Sequence, residues 1–196
     1  MSRNKLYDKI VVIDLEATCD EPRPQWRGEI IEVGVCLLDI KSLEITNPRG
    51  ILVKPESTPI TAFCTKLTTI TPEMVAQEGI SLFEAMVILK EEYKVDQRAW
   101  ASWGDYDRKQ LNNECNAKRM GFPGENSTHH NLKSLMSLEH GWPRENGLDR
   151  GLNAFNLKLE GTHHRGVDDA INIARVFREH LFRVRNLRSN IVPVRG

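Results

Sequence analysis

Ile10-Val11-Val12-Ile13-Asp14-Leu15-Glu16-Ala17-Thr18 is the stretch that decides how this chain is read. Its apolar, β-branched opening is the pattern of a short buried strand. In a strand, residues i and i+2 point to the same face. Asp14 and Glu16 therefore project together from the strand's C-terminal end. Two carboxylates side by side at the rim of a core repel each other, and each is costly to desolvate. A divalent cation removes that penalty, and hard oxygen donors suit Mg²⁺ or Mn²⁺. Asp-x-Glu after a strand also occurs without any metal, so the rest of the chain must decide.

Downstream, Glu29 to Leu38 and Gly50 to Lys54 read as two further strands. Asp39 to Glu44 is a hairpin turn between them, so the opening is an antiparallel meander. Thr71 caps a short helix with Pro72 at its first position. Ser81 caps the next, in which Leu82, Met86, Leu89 and Tyr93 recur at helical spacing as core residues. Ala99 to Trp103 is a strand, followed by a helix over 107–120. His129 to Lys133 is another short strand, leading into a helix that ends at Gly141. Helices are expected over 153–159 and over 166–181, the latter with Ala170, Ala174, Phe177 and Leu181 facing inward. Strands first, then alternating helix and strand, predict one mixed α/β sheet layered with helices.

At 196 residues the chain fits one domain with a full core. We expect that domain over 1–182, followed by a basic, solvated extension over 183–196 carrying Arg183, Arg185, Arg188 and Arg195. Lys and Arg number 27 and so do Asp and Glu, so no global positive field advertises nucleic acid and any basic surface is local. Cys19, Cys36, Cys64 and Cys115 are widely spaced and fit reduced, mostly buried thiols. No apolar stretch reaches the roughly 18 residues of a membrane span, and Asp14 and Glu16 interrupt the N-terminal apolar run. The expected setting is soluble and cytoplasmic, with no membrane partner.

Two more acidic positions lie at element boundaries. In Ser102-Trp103-Gly104-Asp105-Tyr106-Asp107 a strand runs into a helix, and Asp107 falls near the helix start. In His163-His164-Arg165-Gly166-Val167-Asp168-Asp169-Ala170 a carboxylate lies in the first turn of the last helix. Each is explained separately as a helix cap favoured by the dipole. Their occurrence together with Asp14 and Glu16 is explained poorly that way.

Asp14-x-Glu16, then an aromatic followed by Asp107, then a histidine five residues before an aspartate, resembles the DEDD exonuclease superfamily in its histidine-containing (DEDDh) branch. The spacing alone allows His164 with Asp169 or His163 with Asp168. The family's small residue two positions after the histidine matches Gly166 and selects His164 and Asp169. Tyr106 before and Leu111 after select Asp107 over Asp105. Asp-Leu-Glu-Ala-Thr-Cys at 14–19, Glu29-Ile30-Ile31-Glu32, Phe63-Cys64 and Asp168-Asp169-Ala170-x-Asn172-Ile173-Ala174-Arg175 are similar to the Eri-type 3′ exonucleases. Thr69 stands where that pattern has Gly.

The resemblance implies an RNase H-like fold, a mixed five-stranded sheet with an antiparallel strand near the start, flanked by helices. It implies a 3′–5′ exonuclease that hydrolyses phosphodiester bonds with two divalent ions, Mg²⁺ or Mn²⁺. Asp14, Glu16, Asp107 and Asp169 would hold the metals, and His164 would be the general base. Ala17, Thr18, Leu67 and Thr68 would cradle the terminal nucleotide, with Leu67 packing on a base. Arg165 is read either as a phosphate contact or as a solvated surface residue, and Asn131 as lining the site or structural. The nucleic-acid partner is a single-stranded 3′ end, with RNA favoured through the Eri-type marks. A proofreading-type DNA exonuclease is the alternative enzyme, and a silent nucleic-acid-binding module the alternative class. Some members dimerise, which leaves a homodimer or protein partner open. Trp26, Trp100, Trp103 and Trp142 are expected to pack, and His129, His130, His140 and His180 to be ordinary polar residues.

Overall fold

A computed structural model describes residues 5–21 and 28–190, the side chains of 188–190 excepted. Trp26, Arg195 and the Arg188 side chain lie outside the described residues. A five-stranded sheet runs in the order β3-β2-β1-β4-β5. Its strands are β1 (Leu6–Ala17), β2 (Ile30–Asp39), β3 (Ile45–Leu52), β4 (Arg98–Ser102) and β5 (His129–Asn131). The first three form the expected antiparallel meander, whereas β4 pairs with β1 and β5 with β4 in parallel. The mixed α/β sheet of the sequence reading is therefore present.

β1 divides the molecule by its alternation. Val11, Ile13 and Leu15 face one core, which packs against α3 (Leu82–Glu91) and α4 (Tyr106–Ala117). Ile10 and Val12 face the other, built with α5 (Leu132–Glu139), α6 (Leu148–Ala154) and α7 (Gly166–Asn190). Asp14 and Glu16 continue the second series, so the strand delivers both to the α7 side. Leu82, Met86, Leu89 and Tyr93 are all buried, and Ser81 with Glu84 forms a complete capping box at the start of α3. Thr71 caps α2 (Pro72–Glu78) as anticipated. All four cysteines are unbridged, and Cys36, Cys64 and Cys115 are buried.

The departures from expectation are largest at four places. β3 begins at Ile45 rather than Gly50 and tolerates Pro48 because it is an edge strand. The segment before Thr69, where no element was expected, is α1 (Ala62–Thr68), capped by the Thr61 side chain on the Cys64 N–H. The helix expected over 153–159 is α6, five residues earlier. There Leu148 and Leu152 are buried, Gly151 leaves room for the Trp103 ring, which a Cβ would approach to 2.2 Å, and Asn156 at φ 55° ends the turn that follows. Finally, α7 continues without a break past Leu181 to Asn190, so Arg183 and Arg185 are helical. Arg183 lies over the Phe155 ring, and Arg185 donates to the carbonyls of Ile40 and Lys41.

Candidate active site

The C-terminal end of β1 opens into a cleft of about 220 Å³ lined by Asp14, Leu15, Glu16, Trp103, Tyr106, Asp107, Leu148, His163, His164 and Asp169. Three elements converge to build it. β1 presents Asp14 and Glu16 by strand periodicity, α4 presents Asp107 from its first turn, and α7 presents Asp169 from its own first turn. α7 comes this close because two glycines meet. Gly34 pairs with Asp14 across β1 and β2, and a Cβ on it would lie 1.9 Å from the Gly166 backbone.

One oxygen from each of Asp14, Glu16 and Asp169 can be chosen so that all lie within 4.8 Å of one another, and His163, His164 and Asp169 form a second such group. Asp169 Oδ2 accepts the His164 backbone N–H at 2.9 Å, while Oδ1 is buried with no partner. Asp107 Oδ1 accepts the Leu15 N–H at 3.1 Å, which ties the start of α4 to β1. Asp105, by contrast, turns outward to pair with Arg108 at 2.9 Å. The choice of Asp107 over Asp105 thus has a geometric counterpart.

Burial and mutual repulsion hold these acids toward their protonated forms. Asp14 is pushed well above the usual carboxylate range by desolvation, then by Asp107, Glu16 and Asp169. Glu16 is raised to about 8 by burial, with Asp169, Glu32 and Asp107 adding to it. Asp107 is raised to about 7 by burial, against the Leu15 N–H and the Ser102 hydroxyl. Asp169 is also raised by burial, although the His164 N–H opposes it. His164 is lowered by burial and by His163. Hard oxygens, an orphaned buried Asp169 oxygen and repelling carboxylates form a donor set that fits divalent cations such as Mg²⁺ or Mn²⁺.

The remaining sequence candidates divide. Thr18 and Thr68 are buried and their hydroxyls are engaged, Thr18 with Thr58 at 2.7 Å and Thr68 with the Cys64 carbonyl at 2.9 Å. Ala17 is half-buried, with its carbonyl facing the Cys64 thiol. Leu67 is exposed one helical turn from exposed Phe63. None of these four lines the cleft. Arg165 is no free surface residue, because it pairs with buried Glu32 at 3.3 Å. Asn131 is structural, capping α5 through the Ser134 N–H.

Trp100 is buried as expected, and Trp142 stacks on His140. Trp103 packs but also faces the cleft. Among the described residues, His129, His130, His140 and His180 join no metal-ligating group. Sequence reasoning passed over His163 and Tyr106 as lining residues. The doubled histidine and the aromatic before Asp107 were the available signals. His163 stacks on His164 with ring centroids 4.0 Å apart, and its Nδ1 lies 3.5 Å from Asp169 Oδ2.

Residues 11–177 match the model of an exonuclease family, RNase_T. This chain belongs to that exonuclease family. It is 33% identical over 181 residues to human 3'-5' exoribonuclease 1, covering 87% of this chain and 51% of the relative. It is 31% identical over 192 residues to human ERI1 exoribonuclease 3, covering 90% and 55%. The chain thus spans about half the length of these curated relatives. Among solved structures, the nuclease domain of 3'hExo, a DEDDh family member bound to rAMP, superposes with a TM-score of 0.83 at 29% identity, covering 92% of this chain and 94% of that one. The DEDDh, Eri-type resemblance and the RNase H-like sheet both stand on these comparisons. The family generally works with divalent metal ions. Among the described residues, no helix is long and apolar enough to cross a membrane.

Proposed function

We propose that this chain is a metal-dependent 3′–5′ exonuclease that trims single-stranded RNA from its 3′ end. The observation that carries the reading is the convergence of Asp14, Glu16, Asp107, Asp169 and a histidine pair on one cleft. Exonuclease family membership supports the activity, and relatives named exoribonucleases support RNA as the substrate. The setting we propose is the cytoplasm, in keeping with four unbridged cysteines.

Asp14, Glu16 and Asp169 would hold one divalent ion, with Asp14 shared toward a second that Asp107 serves. When bound, such ions supply an acidified water and offset the negative charge developing on the phosphate. His164 is the general base. Burial keeps its imidazole neutral near pH 7, so it is ready to accept the proton of the attacking water. The His164 N–H bond to Asp169 fixes the base beside that acid. Trp103, Tyr106 and Leu148 give the cleft apolar walls on which a terminal base can rest without regard to sequence. Leu67 with Phe63 offers a second apolar surface on α1. Ala17, Thr18 and Thr68 would shape the path through backbone rather than side chain.

The test is a time course on 3′- and 5′-labelled single-stranded RNA and DNA of matched sequence. Each is run with Mg²⁺, Mn²⁺ or EDTA beside Asp14→Ala. We expect a metal-dependent ladder shortening from the 3′ end, faster on RNA and absent in the variant. Faster loss of DNA would move the substrate to the proofreading alternative. Binding without cleavage of either would sink the enzyme reading and leave a silent binding module.

A further inference from the structure

Glu32 lies near the start of β2, directly across from Glu16, and is fully buried without lining the cleft. A buried carboxylate persists only where hydrogen bonds and charge offset its desolvation. Here Oε2 accepts the Gly166 N–H at 2.8 Å and the Arg165 Nε at 3.3 Å, while Oε1 faces Arg165 Nη2 at 3.4 Å.

The seat for this carboxylate is cut from glycine. A Cβ on Gly50 would lie 2.4 Å from Glu32 Oε1, and one on Gly166 would lie 3.3 Å from Oε2. Gly34, two residues along β2, clears the path of α7 itself. Two strands and a helix start are thus shaped around one buried group that does not line the cleft.

Its contacts explain why. Gly166 opens α7, His164 lies two residues before it and Asp169 three after. His164 sits at φ 62°, a left-handed conformation that side chains adopt only under constraint. Glu32 grips the residues on the C-terminal side of that turn, from across the sheet that carries Asp14 and Glu16. We infer that Glu32 is a positioning residue. It holds the His164-to-Gly166 turn so that the base and the Asp169 carboxylate meet the Asp14–Glu16 pair. This inference rests on the exonuclease reading for its kinetic part and on geometry for the rest.

The test compares Glu32→Gln, Glu32→Ala and Gly50→Ala with the wild-type chain, each checked for folding by circular dichroism. Mn²⁺ affinity is read by EPR, and kcat and KM on a single-stranded RNA are read separately. Groups that orient metal ligands typically contribute 10–100-fold in affinity or activity. We expect Mn²⁺ affinity and kcat to fall by about that factor in Glu32→Ala. Glu32→Gln should fall less, since it keeps an acceptor for Gly166, and KM should stay near wild type in both. Gly50→Ala, which crowds the carboxylate without removing it, should shift in the same direction. Folded variants with unchanged Mn²⁺ affinity and kcat, even if less stable, would overturn the inference. If the wild-type chain itself fails to cleave, the exonuclease reading falls, and the Mn²⁺ affinities still decide the role of Glu32.

Discussion

Asp14 is the residue with the most to lose from folding without a metal. It is desolvated and faces Asp107, Glu16 and Asp169, and all of these push its carboxyl toward protonation. Asp14→Asn removes a charge while keeping size and shape. We expect the metal-free Asn variant to gain about 1 kcal/mol, roughly 2–4 °C in Tm for a chain of this size, while exonuclease activity is abolished. Calorimetry in EDTA checks the first part, and a drop in Tm would contradict it. His164 should behave differently. Asn tolerates a positive φ better than Ala, so His164→Asn isolates loss of the base from backbone strain. Its kcat should fall about 10²–10⁴-fold with Mn²⁺ affinity little changed. At this scale the acids were legible because a strand's period of two fixes where Asp14 and Glu16 point. His163, Tyr106 and Trp103 were not recognised as cleft walls, since no periodicity tells where a loop or a first helical turn aims its side chains. Thr18 and Thr68 were expected, by resemblance, to cradle the terminal nucleotide, and their hydroxyls turn inward to bonds that spacing does not reveal.

Between residues and fold, α7 does more than bury an apolar stripe. Asp168, Asn172 and Arg175 recur at i, i+4 and i+7, one face of the helix, and together they strap residues 158–162 to it. Asp168 accepts the Thr162 N–H at 2.8 Å, and Arg175 reaches the Lys158 carbonyl at 2.8 Å. Asn172 bonds the Glu160 N–H at 3.1 Å and its carbonyl at 2.8 Å, and also meets the Asp168 carbonyl and Arg175. The Eri-type run of residues after Asp168 thus has a mechanical meaning: it anchors the loop that leads to His163 and His164. Asn172→Ala strips the Glu160 N–H and carbonyl of this partner and takes one of Arg175's, while Arg175 keeps Lys158 and Glu160, at about 1–3 kcal/mol. Urea unfolding should register that loss, and amide exchange should quicken over 158–165 ahead of the core strands. Exchange unchanged in that loop would refute the strap. Elements with strong local signals, such as β1, β2 and the capped α2 and α3, were readable. α6 was displaced because Leu157 and Leu159 extend the apolar pattern beyond the turn at Asn156, and α1 was missed because seven residues carry too little periodicity to declare a helix.

For the molecule as a whole, the sheet was legible in class, since strands preceded the alternation of helix and strand. Its charge balance was legible as well, but the balance conceals where the charges sit. Formal neutrality hides a local excess of acid at one cleft, and that excess couples folding to pH. Glu16 titrates near 4.5 when unfolded and is raised to about 8 when folded, and Asp107 is raised to about 7. Between those values the folded chain holds protons that the unfolded chain has released. Stability therefore falls as pH rises through the window. The lowered histidines His129, His130 and His164 work in the opposite sense, but only below their ordinary value of 6.5. Glu29, held at about 2 by the Thr58 hydroxyl and the backbone N–H groups of 56–58, acts only in acid. From pH 6.5 to 8.5 the cleft acids dominate. In EDTA, Tm should decline across that range by several degrees, at roughly 2–4 °C per kcal/mol. Saturating Mn²⁺ should flatten or reverse the slope, because binding to the folded state alone stabilises it and favours the deprotonated ligands. A Tm that climbs from pH 6.5 to 8.5 in EDTA would mean that the acids are not confined together, and with them would go the metal centre on which the proposed chemistry depends.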